Sequence, residues 1–228
     1  MKDLQEKLKN PVWHSLQEAH KKFLIEYDGV KFYNPEINNF GAFYNPDKTK
    51  NASNEYSKKV EKFFFVSEDK TPIIDSNTII LEKKINGCQM VLENLIDVKI
   101  TEKIILLTKD HIDEVYDLIW LVMPGFYQKR GFEMGKFFGI FKEKKLIAIS
   151  GQRLQTNDFI EISSVVTHPE HTRKGYAKQL IYYTTKEILK ENKLPILHTN
   201  RGNPAISLYE KLGYKLSRDM NWWLISKK

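Results

Sequence analysis

The chain has a single cysteine, Cys88, so it can form neither an intrachain disulfide framework nor a site built from several thiolates. That composition excludes the disulfide-stapled secreted scaffolds and suits a reducing, cytoplasmic compartment. No metal ligand set is expected. Long apolar runs are also missing. The longest uninterrupted one, Leu118 to Met123, is far short of the roughly 20 residues a membrane-spanning helix needs. The first residues, Met1-Lys-Asp-Leu-Gln-Glu-Lys, lack the apolar stretch of a signal peptide, so no membrane association is expected. Arginine is scarce: Arg130, Arg153, Arg173, Arg201 and Arg218 are five of 36 basic residues. Nucleic-acid readers show basic stripes with arginine forks or aromatic platforms, and no such stripe stands out.

What is present is material for a core. The 228 residues include 13 Phe, 11 Tyr and 4 Trp, with 41% hydrophobic and 29% charged residues. The length predicts one large domain or two small ones. The net charge of +7 is unevenly placed: residues 1–100 carry 15 basic and 15 acidic side chains, residues 101–228 carry 21 and 14. The whole excess lies in the second half, where it serves solubility and field or faces an anion; a phosphate-rich small molecule would need less charge than this.

Along the chain, Asn10-Pro11 places a capping residue before a proline at a first helical position, with Val12, Leu16, Ala19 and Phe23 on one face. The aromatic stretch from Phe32 to Tyr44, broken by two Asn-Pro turns, is expected to pack as core. Asp47 to Lys59, polar and lysine-rich, reads as a loop. Phe63 to Val66 reads as a strand, and Asn86-Gly87 as the turn of a hairpin returning through Cys88 to Leu92. These elements make an α+β domain over residues 1–95. A composition change near Leu95 to Thr101 opens a second domain over 101–228. There the order is strand (Lys103–Leu107), helix to Val122, three meandering strands (Lys136–Phe141, Leu146–Arg153, Phe159–Thr167), helix (Lys174–Lys190), strand (Pro195–His198), helix (Pro204–Leu212) and closing strand (Asn221–Ile225).

The chemically informative stretch runs from Phe159 to Ile181. A strand leads into a basic, glycine-containing turn that opens a long helix. Such a turn presents unpaired amides at the positive end of the helix dipole, and Gly175 lets a bulky anion approach the backbone. An ordinary basic loop before a helix is the alternative reading of those features alone.

The turn Thr172-Arg-Lys-Gly-Tyr-Ala177, with the later Asn203-Pro-Ala-Ile-Ser-Leu-Tyr-Glu-Lys-Leu-Gly-Tyr214, resembles the two diagnostic motifs of the GNAT superfamily of acetyl-CoA-dependent N-acetyltransferases. The resemblance covers roughly residues 101–228 and implies a GNAT fold: a mostly antiparallel mixed α/β sheet flanked by helices. Pro124-Gly-Phe, Gly139-Ile-Phe and Ile147-Ala-Ile-Ser-Gly-Gln-Arg153 also resemble a subgroup in which a degenerate GNAT-like half precedes the catalytic domain, which would account for residues 1–95. Thr172 stands where the family usually has Gln or Arg, with Arg173 beside it. Gly202 stands where an Asn is often found, with Asn203 one place on.

The resemblance implies acetyl transfer from acetyl-CoA to a primary amine of a small molecule or peptide. It places Thr172, Arg173, Lys174, Gly175, Tyr176 and Ala177 on the pyrophosphate, Val165, Val166 and Thr167 along the pantetheine arm, and Asn203 at the cofactor. It implies Glu161 as general base and Tyr209 as the acid that protonates the leaving thiolate. Glu161 as a solvated strand residue and Tyr209 as a core tyrosine are the bland alternatives. His168 is expected to cap a strand end, and His198 to be a satisfied core histidine. An acceptor groove is expected near Phe126 to Phe132, residues 155–158 and Trp222-Trp223. A CoA-binding module without turnover is the second functional reading, and a homodimer stays open.

Overall fold

The computed structural model describes residues 2–125 and 127–228 and divides the chain into two compact units. The first comprises residues 1–89, 199–202 and 217–228; the second comprises 90–198 and 203–216. Strand-forming chain therefore passes between units twice near the end, and the last strand contributes to both.

In the first unit, helices α1 (Lys2–Lys9) and α2 (Pro11–Gln17) are followed by strands β1 (Leu24–Tyr27), β2 (Val30–Tyr33) and β3 (Phe40–Ala42), helix α3 (Thr49–Ser57), strand β4 (Lys62–Ser67) and the start of β5 (Ile79–Leu92). Asn10 caps α2 as its sequence implies, its side-chain oxygen accepting from the Trp13 amide, but the helix ends at Gln17, so Ala19 and Phe23 lie beyond the face expected to hold them. Antiparallel β1–β2–β3 continues through a parallel β3–β4 pair to β11 (Tyr214–Lys227), which runs antiparallel to β4. Rings fill this unit. Phe32 stacks on Tyr56 with centroids 4.2 Å apart, and Phe43, Phe63 and Phe65 pack around them.

Two sequence expectations fail here for identifiable reasons. Asp47 to Lys59 is not a loop, because Ala52 and Tyr56 lie four residues apart and bury one face of α3. The Thr49 hydroxyl further ties its start to the Pro46 and Ile73 carbonyls. Asn86-Gly87 is not a hairpin turn, because β5 runs uninterrupted through it. A Cβ on Gly87 would fall within the ring of Trp222, so the glycine serves close approach of a tryptophan rather than a reversal of the chain.

In the second unit, β6 (Ile104–Leu106), α4 (Ile112–Val122), β7 (Phe137–Lys142), β8 (Lys145–Gln155), β9 (Phe159–Thr167), α5 (Tyr176–Lys190), β10 (Leu194–Asn200) and α6 (Ile206–Glu210) follow the expected order. Strands β6–β7–β8–β9 are antiparallel neighbours, and β10 joins β9 in parallel. Successive strand residues face opposite ways and so serve different helices. Phe137, Ile149 and Val166 cluster with Val115, Leu118 and Ile119 of α4, while Phe138, Ile140 and Ala148 cluster with Tyr176 and Leu180 of α5. Gln179 on α5 accepts hydrogen bonds from the Thr101 and Glu102 amides at 2.7 and 3.1 Å, tying down the segment that leads into β6. This is a mixed, mostly antiparallel sheet flanked by helices. Among the described residues no helix is long and apolar enough to cross a membrane.

Candidate active site

The site is built where β9 ends and α5 begins. The register between β10 and β9 runs from Leu194↔Phe159 to Leu197↔Ile162 and stops there. Ser163 to Thr167 continue as strand without a β10 partner, while β8 still pairs along their other edge at Ile149↔Val166 and Ala148↔Thr167. Within this run the register against β8 shifts and Ser164 adopts φ +49°, the mark of a bulge that bends a strand. One edge of Val165, Val166 and Thr167 thus has no β10 partner in the register.

After Thr167, His168 turns the chain. Its amide donates to the Ile147 carbonyl at 2.8 Å, and its Nδ1 accepts from the Glu170 amide at 3.3 Å. This is the capping role its position before Pro169 implies. The ligand atoms of His168, Glu170 and His171 fall within 4.8 Å of one another, though the Glu170 amide already engages one nitrogen of His168. The Thr172 hydroxyl donates to the Pro169 carbonyl and closes the turn.

Arg173 and Gly175 both take left-handed conformations, φ +60° and +81°, immediately before the 15-residue helix α5. The first amides of such a helix have no intrahelical acceptor and sit at the positive end of its dipole. Nothing lies within 4 Å of where a Cβ of Gly175 would project, so an anion can reach this backbone. Thr172 to Gly175 are exposed, Ala177 is half-buried, and the ring of Tyr176, the first residue of α5, is buried with the Lys142 ammonium 5.8 Å from its centroid. Arg130, Arg153, Arg201 and Arg218 are each engaged by a carboxylate, whereas Arg173 and Lys174 carry no ion pair among the described residues. The excess positive charge of the second half therefore has two uncommitted cations at this turn. The residues present fit a diphosphate with an extended arm.

Glu161 does not sit as a base awaiting a proton. It is fully buried on β9. Oε1 accepts from Arg153 Nη2 at 2.6 Å and pairs with His198 Nδ1 at 2.8 Å; Oε2 accepts from Arg153 Nε at 2.9 Å and from the Leu154 amide at 3.2 Å. Burial alone would raise its pKa, but the Arg153 guanidinium and His198 hold the carboxyl well below the usual range. A carboxylate offers about four lone-pair sites, and all are taken. In this arrangement Glu161 is a buried carboxylate with every lone-pair site occupied, unlike the open carboxylate that a general base requires. His198 is satisfied, as expected of a core histidine, but its partner is this carboxylate. The residue the sequence reading passed over is Arg153. Its signal was alternation alone, two residues on β8 and β9 facing the same side.

Tyr209 lies on α6, half-buried, and burial pushes its phenol pKa up, which keeps the proton on oxygen at neutral pH. Asn203 Oδ1 accepts from the Ala205 amide at 2.9 Å, so it shapes the turn into α6. Trp223 is buried, its indole N–H donating to Ser67 Oγ at 3.0 Å, while Trp222 covers Gly87; both belong to the first unit. Of the expected acceptor groove, Phe126 lies outside the described residues. Phe132 packs against Phe137 with centroids 5.0 Å apart.

Residues 137–224 match the family model of FR47-like proteins. No curated protein sequence matches the chain. A GNAT-family acetyltransferase structure from Novosphingobium aromaticivorans superposes with TM-score 0.88 at 22% identity, covering 97% of this chain and 98% of that one. A GCN5-related N-acetyltransferase from Kribbella flavida superposes with TM-score 0.59 at 9% identity over 95% and 92% of the two chains. An acetyltransferase of the GNAT family from Colwellia psychrerythraea gives 0.55 at 11% identity over 87% and 80%. At these identities the likeness establishes the fold.

Proposed function

From a chain of the GNAT fold that carries an FR47-like segment over residues 137–224, we propose an N-acetyltransferase that moves an acetyl group from acetyl-CoA to a primary amine of a small molecule or peptide. The observation that carries this reading is the left-handed Arg173–Gly175 turn at the start of α5, set beside the unpartnered end of β9. Acetyl-CoA, when bound, supplies an activated acetyl group on a good leaving thiolate.

The chain's own residues do the rest. Amides of the 172–177 turn bind the diphosphate, with Arg173 and Lys174 adding charge that tolerates loose geometry. Val165, Val166 and Thr167 extend the sheet through the pantetheine arm, and an amide among them takes the charge that builds on the acetyl oxygen. Tyr209, which holds its proton at neutral pH, is the group assigned to donate to the sulfur as the carbon–sulfur bond breaks. With Glu161 locked, the amine attacks as the neutral base, and the proton its nitrogen sheds as the amide forms passes through water to the Tyr209 phenolate, restoring the phenol that protonated the sulfur.

That same lock favours the second reading, a CoA-binding module without efficient turnover, and one set of measurements separates the two. Acetyl-CoA at about a hundred times its dissociation constant should stabilise the chain by roughly 2.7 kcal/mol in thermal unfolding. ATP should not, and Gly175→Glu should abolish the effect by placing an anion in the turn. Acetylation of amines by the wild type that disappears in Tyr209→Phe, with the thermal shift kept, supports the enzyme. Tight binding with no product from any amine supports the module. No shift with acetyl-CoA overturns both.

A further inference from the structure

We propose that Arg153, Glu161 and His198 form a side-chain clamp that sets where β9 parts from β10, and so positions Ser163–Thr167 for the acyl donor. The inference rests on the functional reading above for its ligand, but its geometry stands alone.

Pairing between the nine residues of β9 and the seven of β10 ends after four register positions, before either strand ends. Pairing stops at Leu197↔Ile162, and the next residue of β10 is His198. Its Nδ1 reaches back to Glu161, the Cα partner of Ile196, at 2.8 Å. A side-chain hydrogen bond thus takes over at the position where the backbone ladder ends. From the other neighbouring strand, Arg153 grips both oxygens of the same carboxylate, and the Leu154 amide adds a fourth donor. Three consecutive strands are pinned through one buried anion. The carboxylate accepts only, so the shared proton on the His198 side resides on Nδ1.

Two residues beyond Ile162, β9 bends. Ser164 at φ +49° is an uncommon conformation for a residue with a Cβ and persists only where its surroundings impose it. The clamp and the β8 pairing on either side of the bulge supply that constraint. The apolar alternative, a continued ladder, would pair the very edge that an extended ligand needs. Arg153, Glu161 and His198 act as positioning residues; none is required to touch the acyl donor.

The test uses the full chain, with acetyl-CoA affinity measured by calorimetry and amide exchange followed by mass spectrometry. His198→Leu removes the donor; His198→Asn returns an N–H near the place of Nδ1; Arg153→Lys keeps the charge but loses the two-pronged grip. A hydrogen bond to a charged group is worth enough to predict about a tenfold or greater loss of affinity in His198→Leu. Faster exchange confined to 159–167 and 194–198 should accompany it, with recovery to within about threefold in His198→Asn. Arg153→Lys, on a partly exposed side chain that tolerates change, should fall between and covers the case in which His198→Leu does not fold. Unchanged exchange across 159–167 in folded variants overturns the clamp. Equal loss in His198→Leu and His198→Asn also overturns it, because the donor would then be irrelevant. Failure of the wild type to bind acetyl-CoA overturns the functional reading and leaves the exchange comparison to decide the clamp.

Discussion

The two units bury opposite things. The first closes around stacked and edge-on rings, Phe32, Tyr56, Phe43, Phe63 and Phe65, with neutral polar handles such as the Tyr56 hydroxyl donating to the Tyr33 carbonyl at 2.8 Å and the Trp223 indole donating to Ser67 Oγ at 3.0 Å. The second places a guanidinium, a carboxylate and an imidazole between its central strands. Ring packing is non-directional and gains free energy roughly with buried area. A buried ion network gains little net stability, because desolvation offsets attraction, but it holds only in one geometry. The difference separates scaffold from site. The unit with the directional core is also the one carrying the left-handed turn and the unpaired strand edge.

The sharpest way to break that contrast is a matched pair of truncations followed across pH. Phe32→Ala and Glu161→Ala should each cost about 3–5 kcal/mol near neutrality in urea unfolding. They should diverge in acid. The folded-state pKa of Glu161 lies below its ordinary value of 4.5, so the unfolded chain holds the proton more tightly. Its contribution is complete above that value and lost as pH falls toward the depressed folded one. The penalty of Glu161→Ala should therefore shrink as pH is lowered through the carboxylate range, while that of Phe32→Ala persists. Equal pH profiles would erase the distinction between the two cores.

A second comparison concerns two glycines with opposite reasons. Gly87→Ala drives a methyl into the Trp222 ring and should cost about 1–3 kcal/mol by overpacking, with acetyl-CoA binding retained. Gly175→Ala meets open space but keeps φ +81°, so the cost should be about 1–2 kcal/mol, now with weakened acetyl-CoA binding. Thermal unfolding with and without the ligand separates them. If both glycines affect binding alike, the close-approach account of Gly87 fails.

The smallest effect belongs to the surface. Lys136→Ala removes an exposed pair with Glu191 at 2.7 Å and should change stability by less than about 1 kcal/mol, less again at high salt. A larger loss would mean that surface charge, rather than either core, holds the second unit.

Much of this was legible in advance, and the failures are instructive. Alternation across β7, β8 and β9 and the amphipathic stripe of α4 predicted elements the structure contains, because each buries a face whose period the sequence carries directly. Asn86-Gly87 misled because a glycine accepted for close approach and a glycine required for a turn look identical in one dimension. Helix α3 was hidden because only Ala52 and Tyr56 of its apolar face rise above a polar, lysine-rich background. At the site, the basic turn before α5 could be read because its amides, glycine and charges are consecutive. The fate of Glu161 could not, since the groups that neutralise it come from positions 153 and 198.

The sequence alone determined what short-range chemistry decides: the strand-turn-helix around Gly175, the capping by Asn10 and His168, and the surplus of positive charge beyond residue 100. Tertiary structure alone decided that Arg153 and His198 surround Glu161, where β9 stops pairing with β10, and that the last strand serves two units. Those outcomes depend on neighbours brought together from distant positions, and a buried charge takes its protonation state from whatever surrounds it.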